Sequence, residues 1–296
     1  MKTLHVLSLM AAGAVPFAVQ AEDRRPVTNP VYHDQADVGT SVHPILMLQS
    51  LPDKINTELG NVPVGGDATV IALQFEVKLG ENLSLIAVKD GYVDLNPDAT
   101  LSDETGFADV AAGLKYVFLR KDGLVGSVRG TYEIPMGDDD VAQGQGDGVL
   151  NPGVTLQKSG GPLQISGTAG GILAISDEDS TLGYGSLHLS YEVCPYAAPL
   201  VELNYFRVLD AGDGGTRFDS HVKGGVPSVV RWEGGDLINL GGSHADDEPD
   251  FATAAVGLRL KAGEKLSFGA AYEIPLTDEE NGLMESRITV DAVLKL

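Results

Sequence analysis

The chain has 296 residues and a formal net charge of -22 at pH 7, from 42 acidic and 20 basic side chains. This balance argues against a nucleic-acid-binding protein, because phosphate binding requires clustered Lys and Arg. Cys194 is the single cysteine, which excludes an intrachain disulfide and a cysteine-based metal site. The length allows one large β domain or two ordinary domains.

The first 21 residues have the form of a secretory signal peptide. Lys2 supplies the positive charge, residues 4–17 form an apolar stretch, and Val19-Gln20-Ala21 is a small-residue cleavage site. Beyond residue 21, no apolar run approaches the roughly 18 residues that a membrane helix requires. If the exported protein remains in a membrane, a closed barrel is the remaining way to pair its backbone groups there.

The next part of the chain is less regular. Residues 22–40 are polar and are expected to form a periplasmic N-terminal lead. Residues 41–50 are a candidate first strand, although Pro44 favours an edge or irregular position. Residues 51–60 are compatible with either a short amphipathic helix or a plain loop.

The strand pattern is clearest in residues 69–79 and 106–134. The second range contains two runs of about eleven residues around Asp122-Gly123, which is a strong hairpin signal. Each run has one apolar face and one polar face with charges, because successive side chains of a strand point to opposite sides. About nine to eleven tilted residues of this kind span a bilayer core.

The same alternation predicts further strands at 83–95, 148–158, 163–175, 183–193, 199–209, 251–261, 265–275 and 285–296. Short connections alternate with longer acidic ones. The longer connections lie at 96–105, 135–147, 176–181, 210–250 and 276–284. Outer-membrane barrels have short periplasmic turns, long external loops and an even strand number. We therefore predict an all-β fold, a single transmembrane antiparallel β-barrel over residues 41–296. It would have about 12 strands, or ten as the alternative, and both termini in the periplasm.

A soluble secreted β-sandwich or barrel is the alternative fold, since its strands also alternate. Its polar face would then be solvated, and its apolar face would form a packed core. The regular alternation of loop lengths, the Gly-tolerant runs and a strand at the C-terminus favour the transmembrane barrel.

Three segments resemble the outer-membrane barrel family named for a meta-pathway of phenol degradation, whose members are often regarded as transporters. They are GFADVAAGLKY (106–116), YEIPMGDD (132–139) and GDGVLNPGV (146–154), and the resemblance covers roughly residues 66–296. It implies a channel for small molecules, aromatic ones among them, and it brings no catalytic residues. Outer-membrane barrels commonly end in an aromatic residue read by the barrel-assembly machinery, whereas this chain ends in Leu296.

A set of charged or titratable side chains falls on the polar strand faces and is expected to line the lumen. The set is Glu76, Lys78, Asp109, Lys115, Arg129, Glu133, His188, Glu192, Arg259, Glu273, Arg287 and Asp291. These residues could select solutes in a polar pore. They could also form ion pairs that fill a narrow lumen, as the side chains of small barrels do.

Acidic side chains in two predicted external loops are weak candidates for binding Ca²⁺, which prefers oxygen ligands. They are Asp138, Asp139, Asp140, Asp246, Asp247 and Asp250. Neither loop has the EF-hand spacing, and solvated acidic loops are the ordinary interpretation. The loops could instead bridge lipopolysaccharide through divalent ions. No other cofactor is expected, and the acidic rim should favour cations at the external mouth.

The sequence thus favours a channel in the bacterial outer membrane for passive passage of small molecules, aromatic or otherwise apolar ones among them, and not an enzyme. The partners expected are outer-membrane lipid and lipopolysaccharide, the barrel-assembly machinery and a small-molecule solute. A structural or adhesive barrel with a filled lumen is the main alternative. An outer-membrane hydrolase is less favoured, although Ser186, His188 and Ser190 share a strand face. Residues two apart on a strand are about 6.5–7 Å apart, and no G-x-S-x-G elbow accompanies them.

Overall fold

The computed structural model describes residues 24–215 and 225–296. The predicted signal peptide lies outside the described residues, so its cleavage remains a prediction. Within the described ranges, no helix is long and apolar enough to cross a membrane.

Sixteen strand segments and three short 3-10 helices follow one another along the described chain. The strands are β1 Ser41–Ser50, β2 Lys54–Ile55, β3 Val62–Pro63, β4 Asp67–Lys78, β5 Leu83–Lys89, β6 Gly91–Asn96, β7 Glu104–Phe107, β8 Val110–Lys121, β9 Leu124–Ile134, β10 Val149–Gly160, β11 Leu163–Ala174, β12 Thr181–Tyr191, β13 Ala197–Asp210, β14 Asp250–Lys261, β15 Leu266–Pro275 and β16 Ser286–Lys295. The 3-10 helices are Asp139–Val141, Val226–Ser228 and Glu279–Gly282.

The strands form a closed antiparallel barrel of 12 strands, as predicted. β16 pairs with β1, and β1 pairs with β4, which closes the sheet. Only Asp90 separates β5 from β6, and both segments pair with β4. β7 and β8 run beside them in the same way, so each of these pairs counts as one barrel strand. The hairpin predicted at Asp122-Gly123 joins β8 to β9, and both residues have the positive φ that a two-residue turn of this kind needs.

Of the two alternatives left open for residues 51–60, the structure contains no helix: Ile55 is buried and Thr57 bridges to Val230, so tertiary contacts override the local apolar spacing. The structure differs from the sequence predictions in two places. The strand predicted at 83–95 breaks at Asp90, whose side chain accepts a hydrogen bond from the Leu73 N–H. β7 begins at Glu104, inside the loop predicted at 96–105, and residues 108–109 separate it from β8.

Pro44 lies inside β1 and interrupts its ladder with β16. The pairing runs from Val42–Leu294 to Ile45–Asp291, with neither His43 nor Pro44 in register. Proline has no N–H to donate to a ladder, so this irregularity agrees with the prediction.

The apolar face of the barrel points outward and the polar face points inward. Leu114, Tyr116 and Phe118 of β8 are each about half exposed, whereas Lys115 is buried. Alternating residues of the other strands repeat this pattern. A soluble sandwich would bury its apolar face in a core, so the observed arrangement is that of a membrane barrel.

The two ends of the barrel carry different connections. One end, here called the short-turn end, has the turns near residues 80, 122, 161, 195 and 263. The opposite, long-loop end carries the longer connections, including residues 135–148 and the described residues 211–215 and 225–249. β1 begins and β16 ends at the short-turn end, where the Leu296 N–H donates to the Thr40 carbonyl.

Residues 24–39 lie inside the barrel and are called the plug segment below. Arg24 donates to the Pro162 carbonyl at the short-turn end. The segment then rises to a turn in which the His33 N–H donates to the Asn29 carbonyl, 2.8 Å away, and it returns to β1. These residues belong to the stretch expected as a periplasmic lead, and the structure places them within the lumen.

Residues 226–249, here called the cap loop, fold over the lumen at the long-loop end. Trp232 is 1% exposed. The buried Glu233 carboxylate accepts hydrogen bonds from the backbone N–H groups of Gly234, Leu240 and Gly242. The loop packs with strand residues in an apolar cluster that includes Leu51, so the barrel interior is filled from both ends.

Candidate functional site

Ten of the twelve side chains predicted to line the lumen are buried. They are Glu76, Asp109, Lys115, Arg129, Glu133, His188, Arg259, Glu273, Arg287 and Asp291. Glu192 is half-buried, and Lys261 Nζ lies 3.2 Å from its carboxylate. Lys78 is exposed because it is the last residue of β4, at the rim of the barrel.

At the short-turn half of the lumen, charges of the wall are paired with charges of the plug segment. Lys115 Nζ lies 3.0 Å from Glu76 and 3.2 Å from the Asp34 carboxylate. Arg25 Nε lies 3.1 Å from the other Asp34 oxygen. Two residues of the wall and two of the plug segment therefore form one buried ionic network.

Glu202 of β13 holds the plug segment at a second point. Its carboxylate accepts hydrogen bonds from the Val27 N–H (2.9 Å), the Thr28 N–H (2.7 Å) and the Thr28 hydroxyl (2.6 Å). His188 Nδ1 lies 2.7 Å from it as well. Glu202 was not among the residues predicted to line the lumen, although its position between Val201 and Leu203 marks it as inward-facing.

Arg259 anchors the plug segment at a third point. Its guanidinium pairs with the Asp291 carboxylate and donates to the plug carbonyls of Arg25 (2.8 Å) and Pro26 (3.1 Å). His43 Nε2 lies 3.0 Å from the same carboxylate. A single buried cation thus joins the wall to the plug backbone.

Arg287 has the corresponding role for the cap loop. Its guanidinium donates to both oxygens of Asp236, at 2.9 and 2.8 Å. It also donates to the Glu273 carboxylate of the wall, 2.8 Å away. Bidentate pairs of this geometry are among the stronger ion pairs in proteins. Asp236 lies in an irregular stretch, and no periodic signal identified it.

An apolar cavity of about 60 Å³ lies between the plug segment, the wall and the cap loop. Its apolar lining includes Val31, Ile45, Met47, Val70, Val93 and Leu237. Typical ligand pockets hold roughly 300–1,000 Å³. The cavity therefore needs movement of the plug segment or the cap loop to admit more than a very small molecule.

A polar cavity of about 10 Å³ lies beside it, lined by Lys89, Asp109, Glu133 and Asp179 among others. Lys89 Nζ is hydrogen-bonded to Glu133, and Asp109 accepts the N–H groups of the loop at residues 137 and 144. Asp179 lies in the 175–180 loop and is buried. Burial, together with the neighbouring Glu133 and Glu233 carboxylates, raises the pKa of Asp179 to about 7.

The aspartates predicted as calcium ligands have protein partners or lie apart on the surface. Asp138 accepts the Phe107 N–H at 2.6 Å, and Asp250 pairs with Arg207 at 2.7 Å. Asp139, Asp140 and Asp246 are exposed. Calcium binding at these loops remains a prediction.

Asp247 is also part of a mixed cluster with Glu58 and His244, whose ligand atoms lie within 4.8 Å of one another. Arg231 Nε lies 3.2 Å from Asp247 and 3.6 Å from Glu58. The guanidinium therefore already supplies the positive charge that these two carboxylates attract.

The serine and histidine residues of β12 do not form a nucleophile–base pair. Ser186 accepts a hydrogen bond from the Asn29 side chain at 2.8 Å, and His188 is bound to Glu202. Ser190 Oγ has no hydrogen-bond partner within the described ranges. These side chains hold the plug segment or line the wall beside it.

No protein-family model and no curated protein matches the chain. Among solved structures, an outer-membrane channel from Pseudomonas putida F1 matches with a TM-score of 0.60 at 14% identity, over 88% of this chain and 97% of that one. The NanC porin matches with a TM-score of 0.51 at 7% identity, over 87% of this chain and all of that one (100%). At these identities, the matches establish the fold of an outer-membrane β-barrel.

Proposed function

We propose that this protein is an outer-membrane channel through which small apolar or aromatic molecules cross passively. The apolar cavity beside the plug segment is the observation that carries the proposal. A pore for ions and sugars needs a continuous polar path, whereas this cavity has a mainly apolar lining. The barrel shares its fold with proteins described as an outer-membrane channel and a porin, which supports the proposal.

We further propose that the short turns and both termini face the periplasm, and that the acidic long loops face outward. Short periplasmic turns and long external loops are the rule for barrels of this class. The signal peptide predicted at residues 1–21 agrees with this orientation. Membership of the phenol-degradation barrel family rests on the three resembling segments and stays a prediction.

Passage requires the plug segment or the cap loop to move, because both occupy the lumen. Hydrogen bonds and ion pairs hold the plug segment at Glu202, Arg259 and Lys115, and Val31 and Tyr32 also pack in an apolar cluster with the wall. Water can replace such contacts when the segment withdraws, whereas apolar contacts would lose their burial. The polar anchors therefore suit a segment that moves.

The test is uptake of a radiolabelled neutral aromatic compound by cells that lack the protein. Lipopolysaccharide slows such compounds, so the deletion strain is expected to lose uptake and the wild-type gene to restore it. Ala72→Phe fills the apolar cavity and is expected not to restore uptake. Val128→Phe, on the lipid-facing side, is the matched control and is expected to restore it.

The alternative is a structural barrel with a permanently filled lumen. The ionic network between the wall and the plug segment is the observation that favours it. Equal uptake by the deletion strain and the wild type would support this alternative and contradict the channel.

A further inference from the structure

Arg129 on β9 is a buried cation without a counterion. It is 7% exposed, and its Nε and Nη1 atoms have no hydrogen-bond partner. Nη2 donates to the Val31 carbonyl of the plug segment. In the described ranges no carboxylate pairs with Arg129, whereas Arg259 pairs with Asp291 and Arg287 pairs with both Asp236 and Glu273. An unpaired buried charge is costly, so an anion that paired directly with Arg129 would be stabilised here.

Three neighbouring side chains of the wall also have free polar atoms. Thr131 Oγ1, both polar atoms of Asn151 and the Tyr184 hydroxyl are buried without a partner. Thr131 and Asn151 face each other across β9 and β10. Hydroxyl and amide groups can all donate hydrogen bonds, so these three side chains and Arg129 can act together as donors.

Two glycines bring Tyr184 next to Arg129. Gly153 lies opposite Arg129 in the ladder, and Gly170 lies between Gly153 and Tyr184. A Cβ atom built on Gly153 would lie 2.5 Å from Tyr184 Oη and 3.6 Å from Arg129 Nε. The absence of side chains at these positions lets the Tyr184 hydroxyl extend over the wall as far as the guanidinium.

Val31 and Tyr32 of the plug segment contact Arg129 without supplying a negative charge. The Val31 carbonyl accepts from Arg129, and Arg129 Cζ lies 6.0 Å from the centre of the Tyr32 ring. That ring packs against Tyr184, with centroids 4.9 Å apart. The plug thus offers the guanidinium an oxygen acceptor and an aromatic face. An aromatic carboxylate offers the same two groups and also the missing charge.

We propose that Arg129, Thr131, Asn151 and Tyr184 form an anion-binding site that takes the carboxylate of a small aromatic acid. Val31 and Tyr32 occupy this site while the barrel is plugged, and the acid displaces them. This inference names a solute class for the proposed channel and rests on that proposal. The acidic external loops repel anions and slow their approach. A preference for an aromatic anion must therefore come from this buried site and not from the external mouth.

The test is titration calorimetry of the refolded barrel with benzoate, and with benzyl alcohol as the uncharged equivalent. Benzoate is expected to bind at least tenfold more tightly than benzyl alcohol. Arg129→Gln is expected to weaken benzoate binding at least tenfold and to leave benzyl alcohol unchanged. Arg207→Gln removes an exposed arginine at the long-loop end and is the matched control.

Two further variants keep the test informative if Arg129→Gln fails to fold. Tyr184→Phe keeps the ring and removes one donor, so it is expected to weaken benzoate binding severalfold. Tyr32→Ala removes part of the competing plug and is expected to strengthen it. Heat-modifiable migration on gels verifies that each variant is folded.

Equal affinity for benzoate and benzyl alcohol, or an unchanged affinity in both Arg129→Gln and Tyr184→Phe, would overturn the anion site. Chloride or acetate that binds as tightly as benzoate would instead show a site for any small anion and overturn the aromatic assignment. None of these results bears on uptake of neutral aromatics, so the channel proposal would fail or stand separately.

Discussion

Glu202 of the wall and Thr28 of the plug segment are joined by two hydrogen bonds, from the Thr28 N–H at 2.7 Å and from its hydroxyl at 2.6 Å, to one carboxylate oxygen. The second oxygen accepts from Val27 and contacts His188. Both oxygens of one buried carboxylate are therefore used to hold the plug. Hydrogen bonds to a charged acceptor are stronger than those to a neutral one.

Replacing Glu202 with Gln should loosen the plug segment. The amide has one acceptor oxygen instead of two and no charge, so at least one plug N–H loses its partner. We expect ion steps in planar bilayers to become several times more frequent than in the wild type. Glu264→Gln, at an exposed turn, is the matched control. Identical currents in all three proteins would show that the hydrogen bonds to Glu202 do not control conductance.

Two of the buried arginines, Arg287 and Arg129, should respond differently to removal of their charge. Arg287→Met leaves the Glu273 and Asp236 carboxylates buried and unpaired, which should lower the free energy of unfolding by about 3–5 kcal/mol. Arg129→Met removes a charge that has no counterion, so stability should be unchanged or higher. Urea unfolding in lipid vesicles measures both. Equal destabilisation would mean that Arg129 has a counterion in the folded protein.

A third prediction concerns the glycine cradle around Tyr184. Gly153→Ala places a Cβ 2.5 Å from Tyr184 Oη, so the tyrosine must move, at a cost of about 1–3 kcal/mol for overpacking. Gly130→Ala, in the neighbouring strand, meets no atom within 4 Å and is the control. We expect only the first variant to lower the urea midpoint. If both variants behave alike, Tyr184 is not held in place over Gly153.

The barrel itself could be predicted because each strand and each turn is encoded by residues that are close together in the sequence. Side-chain alternation with period two marks each strand, and the lengths of the connections give the order of turns and loops. β1 begins and ends where the pattern placed it, at residues 41 and 50. The break at Asp90 was harder to predict than the strands, because its only sequence signal is the glycine that follows. In the structure, a Cβ built on Gly91 would lie 2.9 Å from the Ile71 carbonyl oxygen.

The contents of the lumen could not be predicted in the same way. The plug segment has no periodicity, and Thr28 meets Glu202 across 174 residues of sequence. The inward-facing charges were identifiable from alternation, but their partners Asp34 and Asp236 lie in irregular stretches. The alternating pattern predicts the face of the sheet on which a side chain lies. It does not predict which residues of an irregular segment will contact that side chain.

A final prediction concerns pH and the docking of the cap loop. Asp179 precedes Ser180, whose hydroxyl donates to Glu233 at 2.8 Å and whose carbonyl accepts from Asn239 at 2.8 Å. The folded-state pKa of Asp179 is about 7, raised by burial and nearby carboxylates, whereas an unfolded aspartate titrates near pH 4. Between these values, the folded form binds more protons, so stability rises as pH falls from about 7 to about 4.

We therefore expect the cap loop to be better docked at pH 5 than at pH 8. Trp232, the single tryptophan, reports on this, and its quenching by acrylamide should be weaker at pH 5. Asp179→Asn should reduce the difference between the two pH values, whereas Asp140→Asn at an exposed position should not. Some dependence should persist in Asp179→Asn, because burial also raises the pKa of Glu233. Stronger quenching at pH 5 in the wild type would contradict the assignment, since it would mean that ionised Asp179 stabilises the docked loop.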